Sequence, residues 1–260
     1  MKKISWRIAV LTVLFAFALA GVSCKGKSEN KEVPKLTPEQ TKAHEKIVEA
    51  RAKSIEESKK TVVAKVNGVA ITMYELINEM NTVAPQYIKP EEKKDPKLDE
   101  KVKKAAMDRL VFRELAVQEA IKQGMKVAPE RVVAALNKIK ADLKSEDAYQ
   151  RKLKQSGMTE EELKKQLERN MLVDMITEKE IFDKVRVDPN QVKKVYARDK
   201  ASYKGPSGQM SFEEARPLIE QKLMTPLVQK REDEWVNGLT KSAKIEITLG
   251  QAEKEIHSIR

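Results

Sequence analysis

A chain of 260 residues that is 40% hydrophobic, with only 9 glycines and 10 prolines, can bury a sizeable core and is neither disordered nor collagen-like. Its net charge is +11, but acidic and basic residues are interspersed and no basic stripe alternates with aromatic residues, so we expect no nucleic-acid partner. One cysteine and two histidines cannot supply a zinc site, and no phosphate-binding glycine loop occurs, so we expect no cofactor.

Residues 1–23 have the features of an export signal. Lys2, Lys3 and Arg7 precede an apolar run over residues 8–20, which is too short to cross a bilayer comfortably. This segment carries three basic residues and no acidic one, so its removal lowers the net charge from +11 to +8. We therefore exclude it from the fold and expect a periplasmic protein.

Two processing sites are compatible with this signal. Cleavage after Ala20 would release a soluble periplasmic protein. Residues 21–24 instead resemble a lipobox, in which Cys24 becomes a lipidated N-terminus, although Gly21 stands where leucine or valine is usual. Cys24 is the only cysteine, it follows the apolar run, and residues 24–36 have the polar composition of a flexible tether, so we expect a membrane-anchored lipoprotein.

The first predicted elements are a polar helix over residues 37–60, which begins with an N-cap threonine and a proline, and a β-hairpin over residues 61–72. The hairpin is predicted because two β-branched runs flank Asn67-Gly68, the strongest local turn signal. A helix over residues 73–83 follows. Its apolar face is expected to contain Tyr74, Ile77 and Met80.

A helix over residues 98–123 has the widest apolar surface in the chain, so we expect it at the centre of the core. Its apolar positions are Val102, Ala106, Met107, Leu110, Val111, Leu115, Val117 and Ile121. Shorter helices are predicted from Pro129 and near residues 148–155. A capping box at Thr159 begins the next helix. One stripe of that helix contains Leu163, Leu167, Met171 and Met175.

The last third of the chain is also expected to be mainly helical. A helix from residue 188 to about residue 203 precedes a loop over residues 204–210. A closing helix then begins at Ser211, and Pro217 and Pro226 should each kink or interrupt it. Its apolar positions include Leu218, Leu223, Leu227, Trp235 and Leu239. Residues 244–249 alternate isoleucine with polar residues, which predicts a strand with one wet face.

The hairpin and the helix after it carry a family resemblance. Residues 63–76 read V-A-K-V-N-G-V-A-I-T-M-Y-E-L, which is similar to the opening of the N-terminal domain in the SurA/PrsA family of periplasmic chaperones. Similar segments follow in the same order at residues 110–127, 157–163, 188–203 and 211–247. The resemblance implies a mainly α-helical cradle in which the N-terminal hairpin and the C-terminal strand form one small sheet. It places the chaperone domain at residues 61–249, with the closing helix and strand at 211–249 and a tail at 250–260.

The family resemblance also implies a function, and this sequence departs from the family's usual domain pattern. Its members hold unfolded or nascent secreted and outer-membrane proteins, and many insert a parvulin-type prolyl isomerase domain before the closing helix. Here only seven residues separate Tyr203 from Ser211, and the two histidines, His44 and His257, lie outside the core segments. We therefore expect an ATP-independent chaperone that is not an enzyme and that binds clients in an apolar groove between the N-terminal helices and the closing helix. A member with residual isomerase activity and a lipid-tethered envelope adaptor are the alternatives.

The candidate client-binding residues are five methionines and one tyrosine, chosen for side-chain chemistry that suits the binding of many sequences. Flexible thioethers suit surfaces that accept many different sequences. Ordinary core packing is the alternative interpretation of the methionines. The candidate set is Met73, Met80, Met107, Met171, Met175 and Tyr87.

Overall fold

The computed structural model describes residues 37–87, 96–206 and 208–250. These residues form a mainly helical fold with a small antiparallel sheet, which confirms the predicted fold class. The predictions for the export signal, for the tether with Cys24 and for residues 251–260 lie outside the described residues. The helices are α1 Pro38–Lys60, α2 Met73–Val83, α3 Pro96–Lys122, α4 Pro129–Asp142, α5 Glu146–Ser156, α6 Glu160–Glu180, α7 Pro189–Asp199 and α8 Phe212–Ser242. The strands are β1 Val62–Val66, β2 Val69–Thr72, β3 Lys204–Gly205, β4 Gly208–Gln209 and β5 Ile245–Ile247.

The described residues divide into two compact units. We call the first the sheet unit; it contains residues 37–87, 96–111, 128–168 and 244–250. The second, the α8 unit, contains residues 112–127 and 169–243. Both α3 and α6 contribute residues to each unit.

The sheet unit joins the two ends of the folded chain in one sheet. The strand order is β2-β1-β5, and both pairings are antiparallel. Val66 lies opposite Val69 on one side and opposite Ile245 on the other, so these apolar side chains share a face. The expected pairing between the hairpin and the C-terminal strand is confirmed.

The helix α2 buries a different face from the one that the sequence predicts. Its buried residues are Met73, Leu76, Glu79 and Val83. Ile77 is instead 46% exposed, and Met80 is half-buried. The cause is local: a capping box between Thr72 and Glu75 starts the helix directly at the end of β2, and this junction sets which side of α2 meets the core.

The helix α3 buries ten residues, more than any other helix in the described part of the chain, as its pattern predicts. Seven of its eight predicted apolar positions are buried, and the exception is Ile121, which is 60% exposed. Near the end of the helix the buried position after Val117 is Ala120, three residues on, so Ile121 turns toward solvent. The apolar stripe of α6 also differs from the predicted one, because a helix has 3.6 residues per turn and a strict spacing of four drifts off the buried face. Its buried residues are Leu163, Leu167, Leu172 and Ile176, whereas Met171 and Met175 are half-buried.

The closing helix α8 continues through Pro217 and Pro226 as one helix, so the predicted interruptions are wrong, whereas a kink at either proline stays a prediction. A capping box between Ser211 and Glu214 begins it. Trp235 is buried, as expected, and its ring packs edge-on against Phe112 with centroids 5.7 Å apart. Leu218 is 48% exposed, so the predicted apolar stripe of this helix is only partly buried.

The segment before α8 is more ordered than the loop that the sequence predicts. The strands β3 and β4 pair as a short antiparallel hairpin, which is a third location for strands besides the two ends of the fold. The side-chain amide of Gln209 donates to the carbonyls of Lys200 and Tyr203, at 2.5 and 2.8 Å. No helix within the described residues combines the length and the hydropathy needed to cross a bilayer.

Candidate functional site

An open cleft lies in the sheet unit between the C-terminal turns of α5 and the start of α6. Its volume is about 480 Å³, and the two apolar residues in its lining are Leu153 and Met158. The lining residues are Gln150, Arg151, Leu153, Lys154, Met158, Thr159 and Glu160.

The tight connection between the two helices shapes this cleft. Gly157 ends α5 in the left-handed conformation, with φ at 68°, and the Met158 N–H donates to the Leu153 carbonyl at 3.1 Å. A Cβ at residue 157 would lie 2.6 Å from Cγ2 of Ile55, so glycine is required both for its backbone angle and for space. Thr159 then caps α6, because its Oγ1 accepts from the Glu162 N–H at 3.1 Å.

The floor of the cleft is the outer surface of a hydrophobic cluster. Leu153 is 6% exposed and belongs to this cluster, against which Met158 packs half-buried. The other buried members are Leu136, Tyr149, Leu163 and Leu167. A methionine at this edge presents a thioether that can change rotamer at little cost, so the floor can adapt to side chains of different shape.

Glu160 is the acidic residue in the lining, and its charge is already compensated. Its carboxylate lies 2.9 Å from Nζ of Lys140 and 3.2 Å from Nζ of Lys164. The Tyr149 hydroxyl also donates to it, at 3.1 Å. Hydrogen bonds from Lys140 and Lys164 lower the pKa of Glu160 to about 2. The carboxylate therefore stays ionised and held by its own neighbours throughout the physiological pH range.

The Tyr149 hydroxyl stays protonated, because it is buried and donates a hydrogen bond to Glu160. Burial first, and then its hydrogen bond to Glu160, raise the pKa of the Tyr149 hydroxyl to about 12. Nζ of Lys140 lies 4.6 Å from the centroid of the Tyr149 ring, a cation–π distance. These contacts support the cleft from beneath.

The rim of the cleft is positively charged. Arg151 and Lys154 are both exposed, and within the described residues neither forms an ion pair with a carboxylate. Arg51 lies close by, because its guanidinium donates to the carbonyl of Gln155 at 3.3 Å. With Glu160 held by two lysines, the cleft combines an apolar floor with a rim whose two cations form no ion pair within the described residues.

The client-binding residues predicted from the sequence lie elsewhere, because none of them lines this cleft. In the sheet unit Met73 and Met107 are buried, Met80 is half-buried and Tyr87 is 39% exposed. In the α8 unit Met171 and Met175 are half-buried. These six residues stay predictions.

Sequence reasoning missed Met158, although a signal for it was present. Met158 stands directly before the N-cap Thr159, and Leu163 occupies the fourth position of α6. Apolar residues at these two positions form a hydrophobic staple, and the structure packs Met158 against the cluster that contains Leu163. A search for staples would therefore have placed Met158 at the corner between α5 and α6.

Comparison with known proteins identifies the family. The family model described as the SurA-like N-terminal domain matches residues 47–177. A solved structure from a study of PEB4 and Cj1289, described as SurA-like chaperones of Campylobacter jejuni, aligns with a TM-score of 0.44 at 13% identity. That alignment covers 72% of this chain and 99% of the other. No curated protein matches. Because the family match spans half of the chain, this protein belongs to the family of SurA-like N-terminal domains.

Proposed function

We propose that this protein is an ATP-independent periplasmic chaperone, which holds unfolded or nascent polypeptides on their way to the outer membrane or to secretion. The family match over residues 47–177 is the observation that carries this proposal. Affinity comes from burial of the client's apolar side chains, at about 25 cal/mol per Å² before the cost of ordering is subtracted.

Partly exposed apolar side chains support the holding function. Among the predicted client-binding residues, Tyr87 is exposed and Met80, Met171 and Met175 are half-buried, so these four are accessible to a client. Met73 and Met107 would contact a client only after the helices around them move apart. We propose that the accessible residues make the first contacts, because methionine adapts its shape to many sequences and tyrosine supplies a large contact area at low entropic cost.

We further propose that the protein is not an enzyme. At the point where isomerase domains are inserted in related chaperones, the described residues form the β3–β4 hairpin, and the Met210 N–H donates to the Tyr203 carbonyl at 3.0 Å. Tyr196 packs there against Tyr203 and Phe212, with ring centroids 6.2 and 5.4 Å away. A proline-peptide isomerisation assay should give the uncatalysed rate, and a clear acceleration would contradict the proposal.

The holding function is tested by aggregation suppression. An outer-membrane protein unfolded in urea is diluted into buffer with and without the chaperone, and light scattering is recorded. We expect clear suppression at equimolar chaperone, no effect of added ATP and no suppression by albumin. Absence of suppression would reject the proposal, and capture of one stoichiometric folded partner in pull-downs would favour an envelope adaptor.

Membrane attachment through lipidated Cys24 is proposed from the sequence. Palmitate labelling and membrane fractionation in a bacterial host test it. The wild-type chain should be labelled and should sediment with membranes, whereas Cys24→Ser should be unlabelled and released. A wild-type chain released after cleavage at Ala20 would show that the protein is soluble.

A further inference from the structure

We propose that the cleft between α5 and α6 selects client segments in which an apolar side chain is flanked by aspartate or glutamate. This inference rests on the proposed holding function, and it names the class of segment that one surface of the chaperone prefers. It depends on three properties of the cleft: its size, its floor and the sign of its rim.

The size and the floor of the cleft suit an apolar side chain. A volume of about 480 Å³ accommodates one large aliphatic or aromatic side chain with part of its backbone. It falls in the range of about 300–1,000 Å³ in which small ligands are commonly bound. Leu153 and Met158 supply the apolar contact, and the half-buried Met158 can change rotamer to fit.

The rim sets the preference for acidic neighbours. Arg151 and Lys154 are three residues apart on α5, so they lie on the same side of the helix beside the floor. Glu160 is held by Lys140 and Lys164, so it neither compensates these cations nor attracts a basic client. A carboxylate next to the bound apolar side chain therefore gains Coulomb attraction, whereas a lysine in its place is repelled.

Because the rim is exposed, the preference should be moderate and sensitive to salt. Two exposed charge contacts correspond to about a tenfold difference in Kd between acidic and basic segments at low ionic strength. The difference should largely disappear at about 0.5 M salt, where charges at the surface are screened.

The test uses the full processed chain and three fluorescent peptides of equal length with one central leucine. The leucine is flanked by aspartate in the first peptide, by serine in the second and by lysine in the third. Fluorescence anisotropy at low and high salt gives the three Kd values. We expect the aspartate peptide to bind most tightly and the lysine peptide about tenfold more weakly.

A double variant assigns the preference to the cleft. In Arg151→Gln/Lys154→Gln the aspartate and lysine peptides should bind within about twofold of each other. The matched control is Lys193→Gln/Lys194→Gln, which removes the same charge from exposed positions on α7 and should keep the full preference. Glutamine is a good helix former, so both double variants should keep the fold.

The outcomes separate this inference from the proposed function. Equal Kd values for the three peptides, no binding of any peptide, or a preference that survives in Arg151→Gln/Lys154→Gln would each overturn the inference. If aggregation is still suppressed in those cases, the holding function stands without charge selection at this cleft. If suppression is absent as well, the proposed function fails with it.

Discussion

Glu232 on α8 is a buried carboxyl. It is 2% exposed, and within the described residues no cation pairs with it. The side-chain amide of Gln229 donates to its carboxyl only over a long distance, with Nε2 3.5 Å from Oε2. Burial first, and then the charge of Asp233, raise the pKa of Glu232 to about 7. The folded protein therefore binds a proton at this residue more tightly than the unfolded chain does.

This shift predicts a pH dependence of stability. Since the ordinary pKa is 4.5, the folded form holds the extra proton between about pH 4.5 and pH 7. The free energy of unfolding should therefore fall as the pH rises through this window, by about 3 kcal/mol for this residue. Glu232→Gln should remove that component and should be more stable than the wild type at pH 8.

Urea unfolding between pH 4.5 and pH 8 checks the prediction. The matched control is Glu234→Gln, two residues along α8 at an exposed position, which should keep the wild-type pH profile. An unchanged profile in Glu232→Gln would show that Glu232 is not protonated in the folded state.

Buried carboxyls are the residues that sequence patterns anticipate least. Glu79 and Glu114 are each 5% exposed, and they pair with Arg109 and Arg169. Periodicity counts glutamate as a surface residue, and the arginine that stabilises Glu114 lies 55 residues further along the chain. The apolar positions of α3 were predictable because they depend only on helix geometry, whereas these pairs depend on tertiary contacts.

At the scale of elements, the starts of the helices were the most predictable feature. N-caps and capping boxes act over three or four residues, so the beginnings of α1, α6, α7 and α8 follow from local sequence. The buried face of α2 did not, because the junction with β2 determines it. The cleft also escaped prediction, since it depends on how closely α5 and α6 approach at Gly157.

Gly157 and Gly124 are a natural pair for testing that approach. Both end helices in the left-handed conformation, with φ at 68° and 73°. A Cβ at Gly124 would meet no atom within 4 Å, whereas one at Gly157 would lie 2.6 Å from Cγ2 of Ile55. Gly124→Ala should cost about 1 kcal/mol for its backbone angle, and Gly157→Ala should cost about 1–3 kcal/mol more for the steric clash.

A double-mutant cycle isolates the clash. Combining Gly157→Ala with Ile55→Ala should recover most of the additional cost, because the obstructing methyl is removed. Thermal or chemical unfolding of the four proteins gives the coupling free energy. Equal costs for Gly157→Ala and Gly124→Ala would mean that α1 does not pack against this turn as described.

At the scale of the whole molecule, the joining of the chain ends was predicted from the family resemblance. Residue patterns alone identify the hairpin and the last strand, and only the family indicates that they pair. The pairing brings β5 onto β1, and the Thr248 N–H donates to the Val63 carbonyl at 2.9 Å. The alternation of apolar and polar residues identifies a strand, but it does not show which distant strand will pair with it.

Truncation tests how much the sheet unit depends on β5. A chain that ends at Ala243 lacks β5 and leaves one edge of β1 without its partner strand. We expect faster hydrogen exchange in β1 and a stronger tendency to aggregate, because an unpaired apolar strand edge recruits other chains. A chain that ends at Gly250 keeps β5 and is the control. Equal exchange in β1 for the two truncations would contradict the prediction.

The pairing of β1 with β5 also has a consequence for the proposed export. A secreted polypeptide threads through its translocation channel from the N-terminus, so the first strand crosses long before the last. The Thr248 hydroxyl donates to the carbonyl of Val62 across 186 residues, and that contact must wait until nearly the entire chain has crossed. Under the proposed export, β1 therefore stays without its partner strand until β5 has followed it across, and the three-stranded sheet is completed only after the helices between the two strands have crossed.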